Sequence, residues 1–410
     1  MRRVEQSNGQ GSKPLPVLAR PTARAAFVST YPPAVCGLAS FTESLCEAIA
    51  LNRGSRDGID IIELVEDPCI PHNERSEVIA RLDPADPLSI RNTADAIDRH
   101  DVVVLQHEYG IWGPDMGRSV VEFADALEND LITTLHTLLP QPSVLQEEII
   151  KSLSDRSTFT VVQTQIAKDL LAHRYRVDPR SIEVIPHGTG RSLRSVAHAR
   201  STLARHGSPN LLTWGLIGPG KGLEWSLQAV GTLKDSYPDI HYTIAGRTHP
   251  KVLAREGEAY RDRLLEIVSM LGLEDHLEFI DDYLSQDMLD DLLRDTTIAV
   301  LPYDSTDQMV SGVLVEAISA TVPVVATTFP HAVELSRSGA ALAVPHRSPQ
   351  ALTKAIESLL ESETALADMA RAQSRIALGL EWGHVAHKYD RLINAVVRTS
   401  SLTSHVPTAS

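Results

Sequence analysis

The sequence is poor in the features that mark several functional classes. It has three cysteines in 410 residues, Cys36, Cys46 and Cys69, and no C-x-x-C pair, which leaves no disulfide framework and no cysteine zinc site. Reduced thiols and a cytoplasmic location are the expectation. Aromatic residues make up only 5%, and no run of about 18 apolar residues occurs, which excludes a hydrophobic spanning helix. A weak peripheral membrane contact stays open. Arg2 and Arg3 are followed by SNGQGSKPLP, which has no apolar core, so no secretory signal is expected. Positive charge is scarce: 38 Lys+Arg stand against 53 Asp+Glu, a formal net charge of −15, and this works against a nucleic-acid partner. No G-x-S-x-G elbow is present, and His107-Glu108 does not open a zincin motif because Ile111 stands where the second histidine would be. No Asp-x-Asp pair falls in a strand-end loop; Asp281-Asp282 and Asp290-Asp291 read as solvated turn and helix residues. Neither a metal nor a cofactor is implied.

What is present is a chain with 43% hydrophobic and 22% charged residues, long enough for two globular domains. Short β-branched runs alternate with helical periods: AAFVST, IDIIELV, DVVVLQ, LITTL, TFTVVQ and IEVIP first, then LLTWGLI, IHYTIAG, LEFI, TIAVLP and VPVVAT. Continuous apolar strands separated by helices predict α/β units with parallel sheets covered on both faces. The expected organisation is a disordered tail over 1–24, a Rossmann-like domain over 25–190, an Arg-rich linker over 191–208, a second Rossmann-like domain over 209–380, a helix over 381–397 and a disordered tail over 398–410. One helix is expected around 254–271. Two doubly wound units in series place a ligand in the cleft between their strand C-termini.

Several strand-end segments carry chemistry. The cluster Gly215-Leu-Ile-Gly218-Pro-Gly220-Lys221-Gly222 nearly spells a P-loop, but Gly222 replaces the Ser or Thr that would hold magnesium. It reads as a diphosphate cradle with Lys221 as a point charge, or as a plain tight turn with a solvated lysine. In Ser311-Gly312-Val313-Leu-Val-Glu316, small residues at a helix start admit a phosphate. Glu316, one turn on, needs a partner such as vicinal ribose hydroxyls or a neighbouring arginine. Tyr31-Pro-Pro-Ala-Val-Cys-Gly37 precedes the first helix and would bring Gly37 to the cleft, unless it is only a rigid turn. His107, His136, His187 and His249 each end a strand and are candidate sugar or phosphate contacts, although a strand-end histidine is more often structural.

Taken in order, YPPAVCGLASFTESL, LQHEYGIWG, TLHTLL, VIPHGTG, GPGKGLE, IAGRTHP and SGVLVEAISATVPVVATTFPHAVEL resemble a retaining glycosyltransferase of the GT-B fold, glycosyltransferase family 4, from about Ala25 to Val396. The variants HEYGIWG, PHG, GPGKG and THP are similar to a bacterial subgroup of it. The resemblance implies a GT-B fold, a nucleotide diphosphate sugar as donor, UDP- or GDP-linked, and a sugar, lipid or small molecule as acceptor. The second domain would hold the donor and the first the acceptor, with His107, Glu108 and His187 as acceptor or sugar contacts. Gly37 matches the glycine facing the donor phosphates, His136 the histidine near the transferred sugar, Lys221 the basic residue on the diphosphate, and Glu316 the later Glu of E-x7-E. Gly218, Gly220, His249, Ser311, Gly312 and Val313 complete the expected donor site. Two positions depart from the pattern: Gln308 replaces the first Glu of E-x7-E, and Leu216 replaces an arginine on the diphosphate. Gln308 can still bond sugar hydroxyls, and Arg247 is placed to supply the missing guanidinium. The implied reaction is a front-face displacement, in which the leaving phosphate takes the acceptor's proton. A nucleotide-sugar-binding regulatory protein that has lost turnover is the alternative, and a nucleotide-sugar epimerase of the same fold is a third.

Overall fold

The structure is a computed structural model that describes residues 22–34, 36–65, 75–190 and 208–403. Cys69, most of the expected N-terminal tail, residues 191–207 of the linker expected over 191–208 and the segment 404–410 lie outside the described residues. The first sheet contains β1 (Ala25–Ser29), β2 (Ile59–Leu64), β3 (Val78–Leu82), β4 (Val102–His107), β5 (Asp130–Leu135), β6 (Phe159–Val162) and β7 (Ile182–Val184) in the order β3-β2-β1-β4-β5-β6-β7. The second contains β8 (Asn210–Trp214), β9 (His241–Ala245), β10 (Leu277–Ile280), β11 (Ile298–Leu301), β12 (Val324–Thr327) and β13 (Leu342–Val344) in the order β10-β9-β8-β11-β12-β13. All pairings are parallel, with Phe27 opposite both Ile61 and Val104 at the centre of the first sheet. The order reverses between β1 and β4 and again between β8 and β11, which are the two switch points where α/β sheets open a crevice.

The continuous apolar strands follow from burial on both faces. Ala25, Phe27, Ile59, Ile61, Val102 and Val104 pack into one core, while Ala26, Val28, Ile62, Leu64, Val103 and Leu105 pack into another. The second sheet divides in the same way: Leu211, Tyr242, Ile244 and Val300 face one side, Leu212, Trp214, Ala245 and Leu301 the other. Successive residues of a strand point to opposite faces, so a strand covered on both sides can hold no polar alternation.

Three details differ from the sequence-based expectation. β3 and β13 are short strands at sheet edges, where partial exposure removes the apolar signal. The helix expected over 254–271 is two helices, Pro250–Glu256 and Ala259–Leu271, because Gly257 between them has φ +62. The last helix runs from Trp382 to Thr403, past the boundary expected at 397, since no Pro or Gly interrupts it there.

The chain passes between the sheets twice, and the two passages touch. Thr189, beyond β7, forms a parallel bridge with Glu381: Thr189 N donates to Leu380 O at 2.8 Å and Trp382 N donates to Thr189 O at 3.1 Å. From there the helix Trp382–Thr403 returns to the first sheet. Val385, Ala386, Tyr389, Leu392, Ile393 and Val396 join its core. Full burial of each large aliphatic side chain contributes about 1.5–3 kcal/mol. The Tyr389 hydroxyl meets Thr134 Oγ1 at 3.1 Å, and the nearly buried Arg53 guanidinium pairs with Asp390 at 2.6 Å. A second tie joins the domains elsewhere: the Glu334 carboxylate accepts from Gln165 N at 3.2 Å and Ile166 N at 2.9 Å.

Gly188 is where this crossing is tightest, since a Cβ there would stand 2.1 Å from Trp382 Cε3. Gly188→Ala is expected to lower stability by about 1–3 kcal/mol through overpacking. Gly379→Ala, in a helix with nothing within 4 Å of the added Cβ, should raise it by about 0.5–1 kcal/mol. Urea titration of both variants checks the pair.

Candidate functional site

The loops that leave the C-terminal ends of both sheets enclose a cavity of about 500 Å³. Gly37, His136, Gln163, His187 and Trp382 line it from one side, and Trp214, Gly215, Leu216, Gly246, Arg247, Gly312, Val313 and Glu316 from the other. Two helices point their N-termini into it. Gly37–Arg53 is capped by Cys36, whose Sγ accepts from Ala39 N, and Gly312–Ser319 by Ser311, whose Oγ accepts from Leu314 N. Neither has an acidic residue in its first turn, so the orphan backbone N–H groups and the dipoles leave an attractive field for an anion. Gly246 lets the opposite wall close up: its φ is +144, and a Cβ would stand 2.0 Å from Gly215 O.

Burial holds the two histidines that the first domain places on the cavity wall, His136 and His187, below the ordinary histidine range. Burial pushes His136 down to about 3, with the neighbouring His187 and His107 adding to the effect. Its ring is held on both sides: Nε2 lies 2.7 Å from Gln106 Oε1, and Gln163 Nε2 donates to Nδ1 at 3.3 Å. This pairing puts the ring proton on Nε2 and leaves neither nitrogen free for acid–base work. His187 Nδ1 lies 2.6 Å from Gly188 O, which makes it the donor and turns Nε2 toward the helix start at Gly312. Burial lowers its pKa as well. Behind the same helix start, His331 accepts from Ser311 N at 3.1 Å and is pushed down to about 3 by burial and by His187.

Glu316 is the one carboxylate on the cavity wall among the described residues. It accepts from Trp214 Nε1 at 2.8 Å. Burial raises its pKa; the Trp214 bond opposes this, and Asp290 adds to it. Arg247 reaches the rim, paired with Asp282 at 3.2 Å and largely exposed.

Of the residues expected from sequence, the cavity brings together Gly37, His136, His187, Arg247, Gly312, Val313 and Glu316. The others stand off its wall. Lys221 has its ammonium 4.4 Å from the Tyr303 ring centroid, a cation–π contact that draws it aside. Gly218 and Gly220 form the turn behind, where Asp304 N donates to Gly220 O. His249 caps the helix Pro250–Glu256, its Nδ1 accepting from Lys251 N. Ser311 is buried by its own capping role, and Gln308 sits half-buried in the loop short of Val310. His107 and Glu108 are also displaced. His107, the last residue of a central strand, is fully buried edge-on against Tyr109 at 4.9 Å, and Glu108 accepts from Thr137 Oγ1. Sequence reasoning missed Gln163 and Trp214. Both are large polar-tipped residues at strand ends, and that is the signal that marks them.

These features match known proteins. The two facing sheets agree with sucrose-phosphate synthase from Thermosynechococcus elongatus at a TM-score of 0.71 and 17% identity, covering 92% of this chain and 100% of that one. HepE from Anabaena, solved in complex with UDP, agrees at 0.69 and 13% identity over 91% of this chain and 100% of that one. The fold is GT-B. Within it, residues 197–375 match the model of the glycosyl transferases group 1. A curated relative, D-inositol 3-phosphate glycosyltransferase from Corynebacterium glutamicum, is 25% identical over 262 residues, which span 62% of this chain and 60% of that protein. The group 1 match covers most of the GT-B second domain, including Trp214, Arg247, Gly312 and Glu316, while Gly37, His136 and Gln163 lie outside it.

Trp214→Phe tests the Glu316 environment. Removing the indole donor leaves a buried carboxylate without its described hydrogen bond, which costs about 1–3 kcal/mol at neutral pH. The Trp214 bond holds the already raised folded pKa of Glu316 down, so its loss raises that pKa further in the variant, which then gains more from protonation than wild type and the penalty shrinks as pH falls. The stability gap between Trp214→Phe and wild type, from urea midpoints, should therefore narrow between pH 7.5 and pH 5 (test conditions of roughly neutral and mildly acidic buffer).

Proposed function

We propose that this protein transfers a hexose from a UDP- or GDP-linked sugar to an acceptor hydroxyl with retention of anomeric configuration. The observation that carries the reading is the convergence of two helix N-termini, each without a first-turn acid, on one interdomain cavity. A diphosphate matches that field, and the group 1 match and the UDP complex of the similarly folded HepE support a nucleotide sugar. Glu316 stands one turn along the second of these helices and accepts hydrogen bonds from vicinal ribose hydroxyls. Arg247 adds charge at the rim. Lys221 joins when the donor binds, exchanging its cation–π contact with the buried Tyr303 ring for a charge-assisted bond to phosphate.

The anomeric carbon then loses its bond to the leaving phosphate oxygen as the acceptor oxygen attacks from the same face. The acceptor's proton passes to that phosphate oxygen. Helix N–H groups stabilise the charge that develops there. His136, with both nitrogens engaged, walls the sugar and takes no proton. The reading invokes no metal ion.

Incubation with UDP- and GDP-hexoses, with and without sugar acceptors, should release nucleoside diphosphate in an acceptor-dependent manner and give a product of unchanged anomeric configuration by NMR. Lys221→Ala should lower turnover by about 10²–10³-fold with the fold intact. Donor binding with no release for any acceptor would instead establish the non-catalytic regulatory alternative.

A further inference from the structure

The domains are tied at the crossing, and they are tied again on the opposite face of the first sheet. Val161 and Val162 are consecutive in β6 and point to opposite faces: the first belongs to the core that takes the returning helix, the second to the core beneath the helix Gln165–His173. Apart from Met309 and Val310, which enter from the loop after β11, that second core is built from first-domain residues. Met309 is 4% exposed, an apolar plug from one domain seated in the core of the other. On the same face, the Glu334 carboxylate takes the backbone N–H groups of Gln165 and Ile166. These are the first two donors of their helix, and the cap Thr164 reaches only as far as Ala167 N, so Glu334 is the partner described for both.

Plug and carboxylate are mounted on one unit. Gly312 follows Met309 by three positions, at most about 11 Å of extended backbone. Between them Ser311 N donates to His331 Nδ1 at 3.1 Å, on the short helix Pro330–Ser336 that also carries Glu334. The same unit holds the helix start at Gly312, where a Cβ would stand 3.5 Å from Nε2 of the first-domain His187. We propose that Met309 and Glu334 are two jaws of one clasp, which release together as the domains turn about the Thr189–Glu381 crossing and so carry the Gly312 helix start away from the first-domain wall. The crossing is held by a whole buried helix, whereas the clasp is held by one plug, two hydrogen bonds and a longer contact of 3.4 Å from Lys251 Nζ to Gly110 O. The clasp is therefore the tie that opens first. Closure assembles the cavity from both walls, and release opens it for exchange. The inference does not depend on which anion the cavity takes.

Hydrogen exchange resolved to single amides tests this on the full chain without a ligand. Met309→Ala removes no hydrogen bond of Gln165 or Ile166, yet both amides should exchange on the order of tenfold faster than in wild type. The crossing amides of Thr189 and Trp382 should keep their rates. Met309→Leu, which conserves volume, should retain most of the protection at Gln165 and Ile166. Unchanged rates at these two amides in Met309→Ala would mean that plug and carboxylate act separately, and the clasp is overturned. An equal rise at all four amides is general destabilisation and overturns it too. Wild type supplies a second measurement should Met309→Ala fail to fold: in low urea, Gln165 and Ile166 should exchange through an opening that leaves Thr189 and Trp382 protected. If all four exchange only by global unfolding, the domains do not part at the clasp and the inference is refuted.

Discussion

The bridge between Thr189 and Glu381 is the constraint on which the site depends. One strand of backbone leaves the first domain beside the strand that comes back to it, and the two hydrogen bonds of the bridge hold both passages at one point. The returning helix then buries Tyr389 and five aliphatic side chains in the first core, which makes the crossing part of a folding unit. Because all strands in both sheets are parallel, fixing this point brings one set of C-terminal loops against the other. Trp382, at the crossing itself, lies 5.1 Å from the Phe41 ring and 5.9 Å from the His187 ring, so the same residue that joins the domains also walls the cavity.

The electrostatics of the cavity are built largely from groups that carry no full charge. In a chain with a net charge of −15, the cavity wall gathers backbone N–H groups, one rim arginine and histidines kept neutral by burial. Neutral histidines matter here for geometry. Each has one nitrogen that donates and one that accepts, and the described bonds use this polarity to orient Gln163 and the Gly312 helix start. A protonated His136 would reverse the chain, since Nδ1 would then need an acceptor where Gln163 now offers a donor.

Much of the fold was legible because apolar strands in doubly covered sheets carry a strong signal, as in DVVVLQ for β4 and TIAVLP for β11. Edge strands such as β3 lack that signal, and Gly257 breaks a helix whose apolar spacing alone reads as continuous. At the site, residues placed by backbone were legible: Gly37 and Gly312 start helices, and a helix start after a parallel strand faces the cleft. Residues placed by side-chain choice were not. Lys221 follows its glycines as expected, yet its long flexible stem reaches Tyr303 instead of the wall. His107 and His136 are both strand-end histidines; the first is buried edge-on against Tyr109, the second is held at the wall between two glutamines. Neither neighbour set is visible in the order of residues.

The protein itself shows what its helix N-termini do with an anion. Helices that begin near the cleft without an acid in the first turn include Gly37–Arg53, Gln165–His173 and Gly312–Ser319. At the second of these, Glu334 reaches across from the other domain and its carboxylate takes the first two backbone N–H groups. An internal carboxylate there serves as a clasp between domains, and it removes that terminus from competition for a ligand. The other two termini keep their orphan donors, and both face the cavity. The division follows from geometry: a side chain can satisfy a helix start only where the opposing surface is close enough to touch. Across the cavity no side chain of the described residues takes either helix start in this way, which leaves both open to a ligand.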